Sequence, residues 1–186
     1  MLILNFIWYI IVKVETVFAK RHFYKMKKKY NVSEIRRYKI EAENFLNSFS
    51  NITEMLMKIQ LLAKTGFSWK PDPLGGFYDY YPVELWMFFA RKGDDCDGWA
   101  ELAFQSSVRL GLDSDLYIVA DLRNPWASAH EIVITKEGGY YYLISNWDYF
   151  KCEKKKECFN ILKNNKIVSY GKYNKLLKAR RVKYRH

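Results

Sequence analysis

Apolar residues recur at helical spacing from position 35 onward: Ile35, Tyr38, Ala42, Phe45 and Leu46 share one face behind a Ser33-Glu34 start. Ser50-Asn51 interrupts that pattern. Thr53 is placed to cap a second helix, on which Met55, Leu56, Ile59 and Leu62 line up. Lys70-Pro71-Asp72-Pro73-Leu74-Gly75-Gly76 is a loop that neither helix nor strand tolerates. Pro82 suits the first position of a short helix running to Arg91, and Gly93-Asp94-Asp95 ends it. Residues 96–110 form the next helix, stopped by Gly111. The pattern then turns β-type. Leu116–Ala120, His130–Thr135 and Tyr140–Ser145 are short runs of strand character, and Lys136-Glu137-Gly138-Gly139 is good hairpin chemistry between the last two. Beyond Lys151 a further strand is expected over Lys166–Tyr170 and a short basic helix over Tyr173–Arg181. Helices come first and antiparallel strands after, so the class is α+β.

Composition narrows the class further. A chain of 186 residues with 49% hydrophobic and 27% charged residues is a globular domain of ordinary size, and disorder is excluded. Aromatic residues at 18% allow a core built from few large side chains. No repeat shows at solenoid or propeller periods. Three cysteines exclude a small disulfide-stapled scaffold.

The formal charge of +11 is unevenly spread. Residues 13–39 carry ten Lys/Arg against two Glu, and residues 151–186 carry thirteen against two. The stretch 40–150 has eight basic and sixteen acidic residues. The basicity is therefore that of two flanks around an acidic middle, whereas a nucleic-acid enzyme surrounds its reaction centre with cations. The chain divides into an apolar segment and basic run over 1–32, a core over 33–150 and a basic extension over 151–186. Residues 20–39 and 151–186 are candidate contacts for an anionic surface, membrane or nucleic acid. Met1–Val12 is too short to span a bilayer as a helix, which takes about 20 residues, and the basic run follows it where a secretory signal would have it precede. A buried first helix or strand is expected there, with an interfacial membrane anchor as the alternative. The expected location is cytoplasmic, membrane-associated if that anchor is used.

The candidate chemistry centres on Cys96, which follows a Gly-Asp-Asp turn and opens the helix over 96–110. A helix N-terminus lowers a thiol's pKa, and its N–H groups can hold the oxyanion of a tetrahedral intermediate. A nucleophilic thiol also needs a basic partner. His22 lies in the basic run and His186 is the last residue, which leaves His130 at the start of a β-type run. Asn146 follows sixteen residues later, just past the second strand of the hairpin. A hairpin brings its ends side by side, so Asn146 is placed to orient the imidazole of His130.

Three ordered blocks, Phe67-Ser68-Trp69-Lys70-Pro71-Asp72-Pro73, Asp79-Tyr80-Tyr81-Pro82-Val83-Glu84 and Gly93-Asp94-Asp95-Cys96-Asp97-Gly98-Trp99-Ala100, resemble the bacterial and phage transglutaminase-like cysteine peptidases. Ser128-Ala129-His130 resembles the family's histidine-bearing strand start, and Tyr142-Leu143-Ile144-Ser145-Asn146-Trp147 the asparagine region of papain-like proteases. The resemblance covers roughly residues 65–150. It implies a transglutaminase/papain-like fold, with the nucleophile helix packed on an antiparallel sheet. It also implies cysteine-dependent acyl transfer on amide bonds of a protein or peptide, through a thioester, with water or an amine as acceptor. Cys96, His130 and Asn146 are the implied nucleophile, base and orienter, with Ser145 and Asp148 as the other occupants of the third place. Tyr80 or Tyr81 is the candidate on the oxyanion side, and Trp99 and Trp147 are candidates for the cleft wall. The chain departs from the family pattern in its additional Asp before the nucleophile and in Gly98, where an acidic residue is usual.

No cofactor or metal is expected. Helix capping accounts for Asp94, Asp95, Asp97 and Glu101 as well as a metal site would. Cys152 and Cys158, two sulfurs without a nearby His or second pair, fall short of a zinc site and are expected in a solvated loop. The rival to an enzyme is a catalytically silent module of the same fold, docking an anionic partner through its basic flanks.

Overall fold

A computed structural model describes residues 21, 24–71, 84–120, 130–164 and 175–178. Among the described residues a helical turn over 24–27 precedes four helices, which follow the periodicity. Helix α1 (Val32–Leu46) begins behind Asn31, whose side chain accepts from the Glu34 N–H at 2.9 Å while the Glu34 carboxylate accepts from the Asn31 N–H at 2.9 Å. Helix α2 (Ile52–Lys64) is capped by Asn51, which accepts from the Glu54 N–H at 3.0 Å. The expected cap, Thr53, lies inside the helix, because Asn51 already offers a short acceptor at the right offset. Helix α3 (Leu85–Arg91) starts behind Glu84; the expected start at Pro82 lies outside the described residues. Helix α4 (Cys96–Arg109) places Cys96 at its first position, with Asp95 as its cap.

The strands β1 (Asp113–Ala120), β2 (His130–Glu137), β3 (Tyr140–Ser145), β4 (Asp148–Cys152) and β5 (Lys175–Lys178) form one sheet in the order β4-β3-β2-β1-β5. All of its pairings are antiparallel, and the α+β class stands. Three features differ from expectation. Strand β4 continues the hairpin into a meander. Helix α5 (Lys155–Asn164) occupies the stretch expected to be a solvated loop. Residues 175–178 form an edge strand beside β1 where a basic helix was expected, backbone pairing to the sheet having overridden local propensity. The strand expected over Lys166–Tyr170 and the apolar segment Met1–Val12 lie outside the described residues. Among the described residues no helix is long and apolar enough to cross a membrane.

Strand alternation divides the sheet between two cores. Val133 and Ile144 face α4 and join Trp99, Leu102, Phe88 and Met55 in the larger core. Ile132, Ile134 and Leu143 face the other way and pack with Cys152, Cys158 and Leu162. Cys152 and Cys158 are therefore buried core residues, not parts of a solvated loop, and neither is in a disulfide. Burial and the neighbouring Cys152 thiol push the Cys158 pKa up to about 12, so that sulfur stays protonated. A third, smaller cluster seats Met26, Tyr30, Ile35 and Tyr38 around Trp86 and Met87.

The approach to α4 is held from one side by residues 67–70. The Ser68 N–H donates to the Lys92 carbonyl at 3.1 Å and the Lys70 N–H to the Asp94 carbonyl at 3.0 Å. Gly93 makes this close approach possible: its φ is +114°, and a Cβ there would lie 2.0 Å from the Ser68 carbonyl oxygen. Gly98 answers a second crowding. Asp94 is fully buried, ion-paired with Arg91, and its side chain lies against the first turn of α4, 2.3 Å from where a Gly98 Cβ would stand. Gly98→Ala separates propensity from packing. Helix propensity alone predicts stabilisation by about 1 kcal/mol, whereas the collision with Asp94 predicts destabilisation by about 1–3 kcal/mol. We expect the latter, read as a lower urea midpoint at unchanged slope.

Candidate active site

The end of the sheet where β2 starts and β3 finishes is tied to the first turn of α4 by an aromatic contact. Trp99 stands one helical turn after Cys96, and Trp147 two residues after Ser145. Their ring centroids are 5.0 Å apart at 74°, and Trp99 also meets Phe88 edge-on at 4.9 Å. Trp99 has no exposed surface, so it is a core residue and not the cleft wall expected of it. Trp147 is half-buried and lines, with Phe67, Ser68, Gln60, Lys64 and Asp148, a cavity of about 400 Å³.

His130 is buried at the first position of β2, and its Nε2 lies 2.8 Å from the Ser145 hydroxyl, also buried, at the last position of β3. In the alternation of the strands these two residues are in phase with Ile132, Ile134 and Leu143. The ring nevertheless feels the α4 end of the molecule: burial pushes the His130 pKa down to about 4, and the Asp95 carboxylate works against that shift. Asp95 immediately precedes Cys96, which is half-buried.

The third place differs from the expectation. Ser145, not Asn146, carries the hydrogen bond to the imidazole. Asn146 is a turn residue at φ +53°, a left-handed conformation that asparagine tolerates, and its Oδ1 is buried without a hydrogen-bond partner among the described residues. Asp148 is exposed at the start of β4, paired in register with Ser145. Tyr80 and Tyr81 lie outside the described residues.

The helix end also differs in its donors. The Asp97 N–H donates to the Asp95 carboxylate at 3.3 Å, the Gly98 N–H to the Asp97 carboxylate at 2.6 Å and the Trp99 N–H to the Asp95 carbonyl at 3.3 Å. These three groups do not serve an oxyanion in this arrangement. The negative charges of Asp95 and Asp97 also offset the positive end of the helix dipole beside Cys96. Ligand atoms of Asp94, Asp95 and Asp97 lie within 4.8 Å of one another. The Arg91 ion pair and the two N–H contacts account for that grouping.

Two further acids are buried: Glu101, expected among the capping residues, lies inside α4, and Glu131 was not singled out from the sequence. Glu101, one turn beyond Asp97 on α4, is pushed up in pKa by burial, against a hydrogen bond from Gln105 at 2.6 Å. Glu131 is buried next to His130. Their burial carries no sequence signal, since it depends on packing between distant elements.

Basic residues of the first flank are mostly solvated. Lys25, Lys28, Lys29, Arg36 and Lys39 are exposed, while Lys27 is 3.0 Å from the Glu84 carboxylate.

No protein-family model matches the sequence, and no curated protein sequence matches it. Among solved structures, LapG of Legionella pneumophila is similar at 18% identity over 70% of this chain and 75% of that chain, with a TM-score of 0.47. EGTA-treated LapG of the same organism is similar at 18% identity over 70% of this chain and 73% of its own, with a TM-score of 0.46. Calcium-bound LapG is similar at 16% identity over 70% and 75% of the two chains, with a TM-score of 0.44.

Proposed function

We propose that this protein is a transglutaminase-like cysteine hydrolase that transfers acyl groups from amide bonds of a protein or peptide. The observation that supports the reading is that Cys96 opens α4 at the end tied through Trp99 and Trp147 to the turn after β3, the same end of the sheet at which His130 starts β2 and is hydrogen-bonded to Ser145. Cys96 is the nucleophile and His130 the base. The Ser145 hydroxyl occupies Nε2, which leaves Nδ1 to exchange a proton with the thiol.

As the Cys96 sulfur bonds to the carbonyl carbon, its proton passes to His130 Nδ1. The tetrahedral intermediate collapses as that proton moves to the departing nitrogen, the C–N bond breaks, and a thioester remains. Water or a second amine then attacks the thioester, losing its proton to His130, and the thiol is restored. Water makes the protein a peptidase or amidase; an amine makes it a transglutaminase.

Incubation of the full chain with casein and a fluorescent primary amine reads both outcomes, as acid-soluble peptide for hydrolysis and protein-bound fluorescence for transamidation. The wild-type protein should give one of the two signals. Cys96→Ala should lose it by about 10³-fold or more, and Cys152→Ser should keep it. Activity surviving in Cys96→Ala would contradict the reading.

The catalytic silence of the rival, a docking module, predicts no signal in either channel together with salt-sensitive binding to anionic vesicles or nucleic acid. The exposed lysines of the first flank favour testing it in parallel.

Burial of a neutral His130 also sets an acid limit. The unfolded chain binds a proton at this residue near pH 6.5 and the folded chain only near 4. The unfolded state therefore holds more protons between those values, and stability falls as pH drops. From pH 6.5 to 4.5 the loss should be about 2 kcal/mol from this group. In urea titrations the decline should be smaller by that amount in His130→Gln; an equal decline in both proteins would show that His130 is not buried in its neutral form.

A further inference from the structure

The first basic flank is held firmly on the body of the protein. Residues 24–27 are helical. Met26 and Tyr30 pack into the cluster around Trp86 and Met87, with the Tyr30 and Trp86 ring centroids 5.5 Å apart, and Lys27 reaches the Glu84 carboxylate at 3.0 Å. Tyr24, Lys25, Lys28 and Lys29 of the same stretch are exposed. Helix α1 continues this surface. Ile35, Tyr38, Ala42 and Leu46 take its packed side. Val32, Arg36 and Ile40 stand four residues apart, in one row along the helix, and all three are exposed, Val32 at 84% and Ile40 at 52%. Lys39 is exposed beside them. Between Tyr24 and Ile40 the one acid is Glu34, which the capping box of α1 engages.

We propose that this face, built from residues 24–29 and the row of Val32, Arg36 and Ile40, docks on an anionic lipid bilayer. Charge and hydropathy together favour lipid over nucleic acid. Cations alone suit a nucleic acid, whose affinity comes from phosphate neutralisation. Here exposed apolar side chains are interleaved with the cations, and a phosphate backbone offers them nothing. The interface of an anionic bilayer takes both, headgroup phosphates on the Lys and Arg side chains and the acyl boundary under Val32 and Ile40. The sequence carries a second signal just upstream: Met1–Val12 is apolar but for Asn5. An apolar anchor joined to a polybasic patch is the combination that holds a protein on a membrane.

The second basic flank is the weaker candidate over its described residues. Lys151 lies over the Tyr140 ring at 3.8 Å, Lys155 is paired with Asp115 at 2.7 Å, and Glu153 and Glu157 stand among them. In the first flank the contacts of Met26, Lys27 and Tyr30 order the neighbouring cations before binding, which lowers the entropy lost on docking. None of these residues belongs to the site of Cys96 and His130, so docking holds whether or not that pair reacts.

The test is co-sedimentation of the full chain with phosphatidylcholine vesicles, alone or with one third phosphatidylglycerol, beside a filter-binding measurement on duplex DNA. The wild-type protein should bind the anionic vesicles at least about tenfold more tightly than the neutral ones, and the preference should shrink as salt rises from about 0.05 to 0.5 M. The Lys25→Gln/Lys28→Gln/Arg36→Gln variant should bind the anionic vesicles about a hundredfold more weakly, roughly fivefold per charge. Val32→Ser/Ile40→Ser should weaken vesicle binding at least about fivefold and leave DNA binding as it was. Leu61→Ser, at an exposed apolar residue of α2, should change neither. The substituted side chains are all exposed, so the fold is kept; if the triple variant does not fold, its three single members, each about fivefold weaker, decide.

No binding to anionic vesicles, equal binding to both vesicle types, or unchanged binding in the triple variant would overturn the proposal. So would a Val32→Ser/Ile40→Ser protein that holds vesicles as the wild type does while the triple variant loses vesicles and DNA together. The face would then be a nucleic-acid surface.

Discussion

The contact between Trp99 and Trp147 is the constraint on which the site depends. Cys96 sits at the tip of a helix, and His130 and Ser145 sit at the ends of two strands. Helices and strands that merely pack can slide by a residue or rotate by a few degrees. Two large rings meeting edge-on at 5.0 Å, one of them fully buried against Phe88, remove that freedom at the end where the chemistry is placed. The turn after β3 is thereby pinned to the first turn of α4. Gly93 and Gly98 complete the arrangement by letting residues 67–70 and the Asp94 side chain close on the helix start, where any Cβ would hold them apart.

The acidic helix end gives this site its character. A thiol at a helix N-terminus ordinarily gains from unpaired N–H groups and a partial positive charge. Here carboxylates of the same turn take those N–H groups and oppose the dipole. The additional aspartate before Cys96, conspicuous in the sequence, turns out to divide the work: Asp94 is buried in an ion pair with Arg91, and Asp95 caps the helix.

Much of this was legible in the residues. The four helices and the first three strands follow from spacing, the Gly breaks and the Gly138-Gly139 turn, because local physics decides them, whereas the caps of the first two helices fall on Asn31 and Asn51 and not on Ser33 and Thr53. Cys96 was singled out by the turn and helix start around it, and His130 by elimination of His22 and His186. What escaped depended on contacts between distant segments. Lys175–Lys178 pairs with β1 although its local composition reads as helix, and the stretch holding Cys152 and Cys158 reads as solvated because its lysines hide two core sulfurs. Ser145 and Asn146 are adjacent; β3 ends at Ser145 as expected, and the last strand residue reaches the ring while the next turns into a left-handed conformation. The burial that keeps His130 neutral is invisible in the sequence for the same reason: it is made by the whole end of the sheet.

The central claim is that the sulfur of Cys96 and the ring of His130 face one another closely enough to exchange a proton. Treating the full chain with 1,3-dibromoacetone tests this directly, since the reagent alkylates a thiol and then bridges only to a nucleophile a few ångströms away. Peptide mass spectrometry should find Cys96 and His130 joined through the three-carbon bridge, and His130→Ala should lose the link while Cys96 is still alkylated. Cys96 alkylated without a link to His130, or bridged instead to another side chain, would contradict the account.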